Sequence, residues 1–157
     1  MRENLDSIGK EFWIEDEEGD QIFKVDGKAM RVRDTLEIED RQGNLLCKSR
    51  ERKLHIKDTM EIEGPDGHNL ATIKKAIISP VRDHFSVDIA EGPDLKIKGN
   101  ILDHEYKIEA GRDSVAQISK KWFRVRETYG VEIDPGQNDV LILAITATLD
   151  IMTAPND

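Results

Sequence analysis

The sequence predicts a mainly β fold, in which about 11–12 antiparallel strands close into a barrel around a buried, apolar C-terminal helix. Three observations lead there. A short apolar pattern recurs six times at nearly even spacing, turn-forming residues follow every copy, and the sixth copy alone is followed by an apolar stretch with no alternation.

The repeated pattern is an apolar residue, three mostly polar residues, then apolar-x-apolar. Its copies start at Ile8, Val32, Ile56, Val81, Leu102 and Val125, which are 24, 24, 25, 21 and 23 residues apart. The apolar pairs are Phe12/Ile14, Leu36/Ile38, Met60/Ile62, Phe85/Val87, Tyr106/Ile108 and Tyr129/Val131. In Leu36-Glu37-Ile38-Glu39 the period is two, which sends the apolar residues to one face of a sheet and the carboxylates to the other. These twelve apolar residues are therefore the expected inward-facing set. Turn signals follow at Gly19, Gly43, Pro65-Asp66-Gly67, Gly92-Pro93-Asp94, Gly111 and Pro135-Gly136. In five copies a second strand follows, as in Leu45 to Ser49 and Asn69 to Lys74. Short strands at this spacing fit a sandwich as well as a barrel.

The sixth copy separates the two. After Asp134-Pro135-Gly136-Gln137-Asn138-Asp139 comes Val140-Leu141-Ile142-Leu143-Ala144-Ile145-Thr146-Ala147-Thr148-Leu149. Asn138 or Asp139 can cap a helix by accepting bonds from the free N–H groups of its first turn. The β-branched residues Val140, Ile142, Ile145, Thr146 and Thr148 argue instead for a last strand. A helix over 140–151 is apolar on every side and must be buried all round. A sheet closed around it supplies that burial and removes exposed edges.

Composition bounds the function. Residues 1–157 read as one domain, with 35% charged residues and a net charge of -9. That balance disfavours a general nucleic-acid binder, which needs cations to replace the counterions around phosphates. Cys47 is the single cysteine, so no internal disulfide forms, which fits a reducing, cytoplasmic compartment. No secretory leader, acylation or prenylation signal is expected, and the longest apolar run is far shorter than the roughly 20 residues that span a bilayer.

Catalytic motifs are missing. There is no GxSxG elbow, P-loop or dinucleotide fingerprint, and no cofactor is expected. His55, His68, His84 and His104 never fall at helical ligand spacing and read as surface or strand-edge histidines. Asp16-Glu17-Glu18-Gly19-Asp20 lacks the ligand spacing of a calcium loop and reads as a solvated acidic turn, so no metal site is expected. Cys47 occupies a core position of the repeat, and Trp13 falls on the outward face between Phe12 and Ile14.

Charge placement is the informative feature. The connections between repeat units, residues 23–36, 48–59, 74–83, 96–107 and 120–126, hold 19 of the 23 Lys and Arg but 7 of the 32 Asp and Glu. The balance is +12 there and -21 elsewhere. With hairpins standing up and down, the connections gather at one end as a basic rim. An anion-binding site is expected among Arg31, Arg33, Arg52, Lys53, Lys57, Lys75, Lys120, Lys121, Arg124 and Arg126. The alternative is that these charges only keep strand ends soluble.

Several stretches, taken in order, carry a family resemblance. They are Phe23-Lys24-Val25-Asp26-Gly27-Lys28-Ala29, Arg33-Asp34-Thr35 with its echo Lys57-Asp58-Thr59, and Leu36-Glu37-Ile38-Glu39-Asp40 with Gly43. Lys120-Lys121-Trp122-Phe123 and the closing apolar segment with Leu149-Asp150 complete the set. The chain resembles LURP-one-related proteins, of the tubby C-terminal-like superfamily that also includes phospholipid scramblases. The resemblance implies a barrel of roughly twelve strands around a hydrophobic helix. In tubby proteins this domain binds phosphoinositide headgroups through basic residues, and plant LURP-one-related proteins are linked to pathogen defence. The expectation is a non-catalytic binding or scaffold domain, cytoplasmic or peripheral at a membrane, for an anionic phospholipid headgroup or an acidic protein partner. A regulatory protein–protein module without lipid binding is the alternative, and scramblase-like lipid handling a weaker one.

Overall fold

The structure, a computed structural model, describes residues 11–26, 35–51, 59–79, 82–120 and 129–153. Eleven strands are present among them: β1 (Glu11–Glu15), β2 (Gln21–Asp26), β3 (Thr35–Asp40), β4 (Leu45–Glu51), β5 (Thr59–Glu63), β6 (Asn69–Ser79), β7 (Arg82–Ile89), β8 (Leu95–Asn100), β9 (Glu105–Ala110), β10 (Asp113–Ser119) and β11 (Gly130–Ile133). They form one antiparallel sheet in which every strand lies beside its neighbours in sequence. This rules out the sandwich. One helix, α1 (Asp139–Thr153), follows β11 and packs on the sheet against β3, β4, β5 and β11.

Local chemistry makes the hairpins. In the β3–β4 turn the Asp40 carboxylate accepts the backbone N–H groups of Gln42 and Asn44, both at 2.9 Å, and Gly43 donates to the Asp40 carbonyl at 3.1 Å. Gly43 adopts φ +85°, open to glycine without strain. The same arrangement recurs in the β1–β2 turn at Asp16. Hydrogen bonds from Asn44 first, then from the turn backbone, hold the Asp40 carboxyl below its ordinary range.

Strand register matches the period-two reading. Ile14, Leu36, Ile38, Met60, Ile62, Phe85, Val87, Tyr106, Ile108 and Tyr129 are all buried, while Glu37 and Glu61 stand on the other face, half-buried. Val131 is only half-buried, on a strand that among the described residues has a partner on one side, and the side chain of Phe12 lies outside those described. In the first three hairpins the register slips just after the inward residue nearest the turn, at Ile14/Glu15, Ile38/Glu39 and Ile62/Glu63. Bulges of this kind bend a strand and increase its twist, which curls the sheet over the helix.

The closed barrel expected from the sequence is not established. Among the described residues β1 and β11 are the two edges of the sheet and do not pair with each other. Residues of both, Ile14 of β1 and Val131 and Ile133 of β11, are in the lining of one cavity of about 450 Å³, together with Phe23 of β2.

The last segment is helical, as its lack of alternation implied, and the alternative of a final strand fails. Asn138 is the cap, since its side chain accepts the N–H of Leu141 at 3.2 Å and its carbonyl accepts that of Ile142 at 3.0 Å. Residues Ile142 through Leu149 are buried without a break. Two of them are threonines. Thr146 and Thr148 return their hydroxyls to the carbonyls of Ile142 and Ala144, at 2.9 and 2.6 Å, so neither brings an unpaired polar group into the core. The N-terminal turn of α1 lies near the tight turns, and its last turns lie beside the connection between β8 and β9, where Asp150 meets His104. No helix among the described residues is long and apolar enough to cross a membrane.

Candidate functional site

Of the ten cations expected to form an anion site, Lys75 and Lys120 lie among the described residues. Arg31, Arg33, Arg52, Lys53, Lys57, Lys121, Arg124 and Arg126 lie outside them. Lys75 continues the inward phase of Ala71 and Ile73 along β6, so the core face of that strand turns from apolar to cationic as it reaches the connection end. Lys120 follows β10 directly, and its backbone is fixed. Its N–H donates to Glu105 Oε1 at 3.0 Å, and the Ser119 hydroxyl donates to Oε2 of the same carboxylate at 2.8 Å. Both lysines therefore fall at the connection end, on strands that β7, β8 and β9 separate.

Other cations from the same stretches of sequence are engaged along the sheet. Arg50 pairs with Glu63 at 2.7 Å, Lys74 with Asp88 at 2.7 Å and Lys98 with Glu109 at 2.9 Å. Each pair ties adjacent strands and contributes modestly. These three cations are part of the wall of the sheet, each already paired with a carboxylate on a neighbouring strand.

Sequence reasoning missed the polar cluster that anchors this end. His104 was expected at the surface or a strand edge, and it is 6% exposed. It closes the turn between β8 and β9 with φ +52°, a left-handed conformation uncommon for any residue but glycine. Its Nε2 lies 2.9 Å from Asp150 Oδ1 in the last turns of α1. A carboxylate only accepts, so Nε2 must carry the proton. The Tyr129 hydroxyl donates to Asp150 Oδ2 at 2.6 Å, and the His104 and Tyr129 rings stack with centroids 4.2 Å apart. An acidic residue near a helix C-terminus opposes the helix dipole, and this carboxylate is also nearly buried. His104 and Tyr129 compensate both costs. The usable signal was Asp150 itself, a charge closing an apolar helix that has to find donors. His68 is exposed, in the β5–β6 turn beside Asp66. His55 lies outside the described residues, and the side chain of His84 outside the described side chains.

The remaining candidates offer little chemistry. Cys47 is 1% exposed and burial pushes its thiol up to about 12, so it is not a nucleophile. Asp16, Glu18 and Asp20 bring carboxylate oxygens within 4.8 Å of one another, but all three are exposed and Asp16 already accepts two turn N–H groups. Trp13 is half-buried and stands opposite Lys24 in the ladder.

A protein-family model described as LURP-one-related matches residues 1–150. Among solved structures, the X-ray structure of a protein from Arabidopsis thaliana superposes with a TM-score of 0.71 at 21% identity, covering 93% of this chain and 86% of that one. At that identity the likeness speaks for the fold. No curated protein matches the sequence.

Proposed function

Since the chain belongs to the LURP-one-related family, we propose that it is a non-catalytic binding domain that uses its connection end to recognise an anionic phospholipid headgroup or an acidic partner. The observation that carries this is the partition of charge, with 19 of 23 Lys and Arg in the stretches that join the hairpins. Lys75 and Lys120 are the described members of the set, and the remaining eight belong to the same stretches. The reading also takes the sheet to close around α1, since β1 and β11 line a common cavity and closure would draw the separate connections into one rim. On this reading the chain is cytoplasmic and peripheral at the membrane, and carries no enzymatic activity.

Convergence is what makes such a rim useful. One exposed lysine opposite a phosphate contributes little in water, whereas several cations near an anionic surface add roughly 1 kcal/mol each. The net charge of -9 opposes this at long range, so binding requires the acidic end to point away from the membrane. The test is co-sedimentation with phosphoinositide-doped vesicles over a salt series, comparing the native protein with Lys121→Glu/Arg124→Glu/Arg126→Glu. Binding that salt weakens and the triple variant loses supports the reading. Equal binding by both proteins, or none by either at low salt, overturns lipid recognition and favours a regulatory protein–protein module.

A further inference from the structure

The end of the molecule opposite the connections has a cavity of its own, about 830 Å³ in volume, framed by the β5–β6, β7–β8 and β9–β10 turns and the first turn of α1. Its size falls within the roughly 300–1,000 Å³ of small-molecule sites. The two parts of its lining differ in chemistry. Leu70, Ile89, Leu95, Val115 and Leu141 supply an apolar floor, continuous with the buried core through Leu95 and Val115. Three exposed acidic residues, Asp66, Glu91 and Asp113, stand around it with His68, and among the described residues no lysine or arginine lines it.

Two opposed fields meet at this mouth. The N-terminus of α1 presents the positive end of a helix dipole, equivalent to roughly half an elementary charge, and so favours anions. That end is partly satisfied, because the cap residue Asn138 takes the N–H groups of Leu141 and Ile142. Glu91 and Asp113 bring two full negative charges, while Asp66 is engaged with His68, whose Nδ1 lies 2.7 Å from its Oδ2. The carboxylates outweigh the dipole severalfold, so the mouth selects for positive charge while the floor selects for apolar surface.

We propose that this cavity is a binding site for a small cationic amphiphile, a primary or secondary amine carrying an aromatic or branched aliphatic body. The body fills the floor between Leu70, Ile89 and Leu141, and the ammonium sits at the mouth near Glu91 and Asp113. This site goes beyond the anion-binding reading and is independent of it, lying at the other end of α1 and selecting the opposite charge.

Three probes of nearly equal shape and different charge test it: phenylbutylamine, phenylbutanol and phenylbutyrate. Each is titrated into methyl-labelled full-length protein while the methyl resonances of Leu70, Ile89 and Leu141 are followed by NMR. The expected result is saturable shifts at these methyls, with the amine binding at least about tenfold more tightly than the carboxylate at low salt, and a preference that fades as salt rises. Glu91→Gln with Asp113→Asn should bring the amine down to the affinity of the alcohol. Both positions are exposed, so the fold should survive, and unchanged methyl spectra in the absence of probe would verify that. Equal affinity for the three probes overturns the charge selection, and preference for phenylbutyrate means the helix end dominates. Absence of saturable shifts at these methyls removes the site. Shifts that follow protein concentration without any probe would place a second copy of the chain in the cavity and overturn the small-molecule assignment.

Discussion

Removing the Asp150 carboxylate should loosen the end of α1. Asp150→Ala deletes the acceptor of the Tyr129 hydroxyl at 2.6 Å and of His104 Nε2 at 2.9 Å, on residues that are 1% and 6% exposed. Each buried donor left unsatisfied costs about 1–3 kcal/mol. Against this, taking a negative charge away from the helix C-terminus returns about 0.3–1 kcal/mol. The net expectation is a loss of about 2–5 kcal/mol from a total that is typically ~5–15 kcal/mol. Asp150→Asn keeps one acceptor oxygen and should lose about half as much. Urea unfolding followed by circular dichroism reads both as lower midpoints at unchanged slope. Combining Asp150→Ala with Tyr129→Phe should give clear non-additivity, since the two changes remove the same bond. A loss below about 1 kcal/mol for Asp150→Ala, or simple additivity in the cycle, would refute the tie between helix and strand.

Other expectations concern the core. Ile145→Asp places a charge at a position that is 0% exposed, and should leave the chain insoluble, because an unpaired buried charge costs several kcal/mol. Recovery of a soluble, cooperatively unfolding variant would sink the buried-helix reading. Gly99→Ala should destabilise markedly, since an added Cβ would sit 2.6 Å from the Glu105 carbonyl oxygen and 2.8 Å from Tyr106 Cα, at a backbone φ of +125°. Thermal melts of Gly99→Ala beside Gly19→Ala, where the space is open, would separate the clash from the shared cost of positive φ. Cys47 should resist thiol reagents at neutral pH and react only as the protein unfolds, because burial raises its thiol to about 12. Rapid native labelling would show that the core opens at β4.

What was readable in the sequence follows its periodicity. Leu36/Ile38 and Met60/Ile62 declared their face because a strand alternates every two residues, and a one-residue slip would have buried Glu37 and Glu61 instead. The closing helix was readable from the cap at Asn138 and from the missing alternation. The threonines argued for a strand, because their back-bonds to Ile142 and Ala144 exist only once the helix has formed. His104 was not readable. Its role depends on a partner 46 residues away and on a left-handed turn that no local pattern announces. Sheet closure was inferred from the need to cover α1, a global condition that leaves no mark on any single strand, and the structure leaves β1 and β11 unpaired with each other among the described residues. The anion site was read from charge alone, which selects a region of the chain and not a geometry. Arg50, Lys74 and Lys98 share that region and are committed to carboxylates on neighbouring strands.

The position of α1 after all eleven strands has a consequence for synthesis. Three of the strands it covers, β3, β4 and β5, leave the ribosome early, and about a hundred residues separate β3 from the helix. At roughly 5–20 residues per second the apolar face of these strands waits several seconds for its cover. During that interval the growing chain is a hairpin array with one sticky side, and the carboxylates along its turns are the part of it that repels another nascent copy. A ribosome that stalled within the fifteen codons of the helix would thus hold a sheet whose apolar face still lacks its cover, a species for chaperones to hold soluble rather than a folded domain lacking its tail.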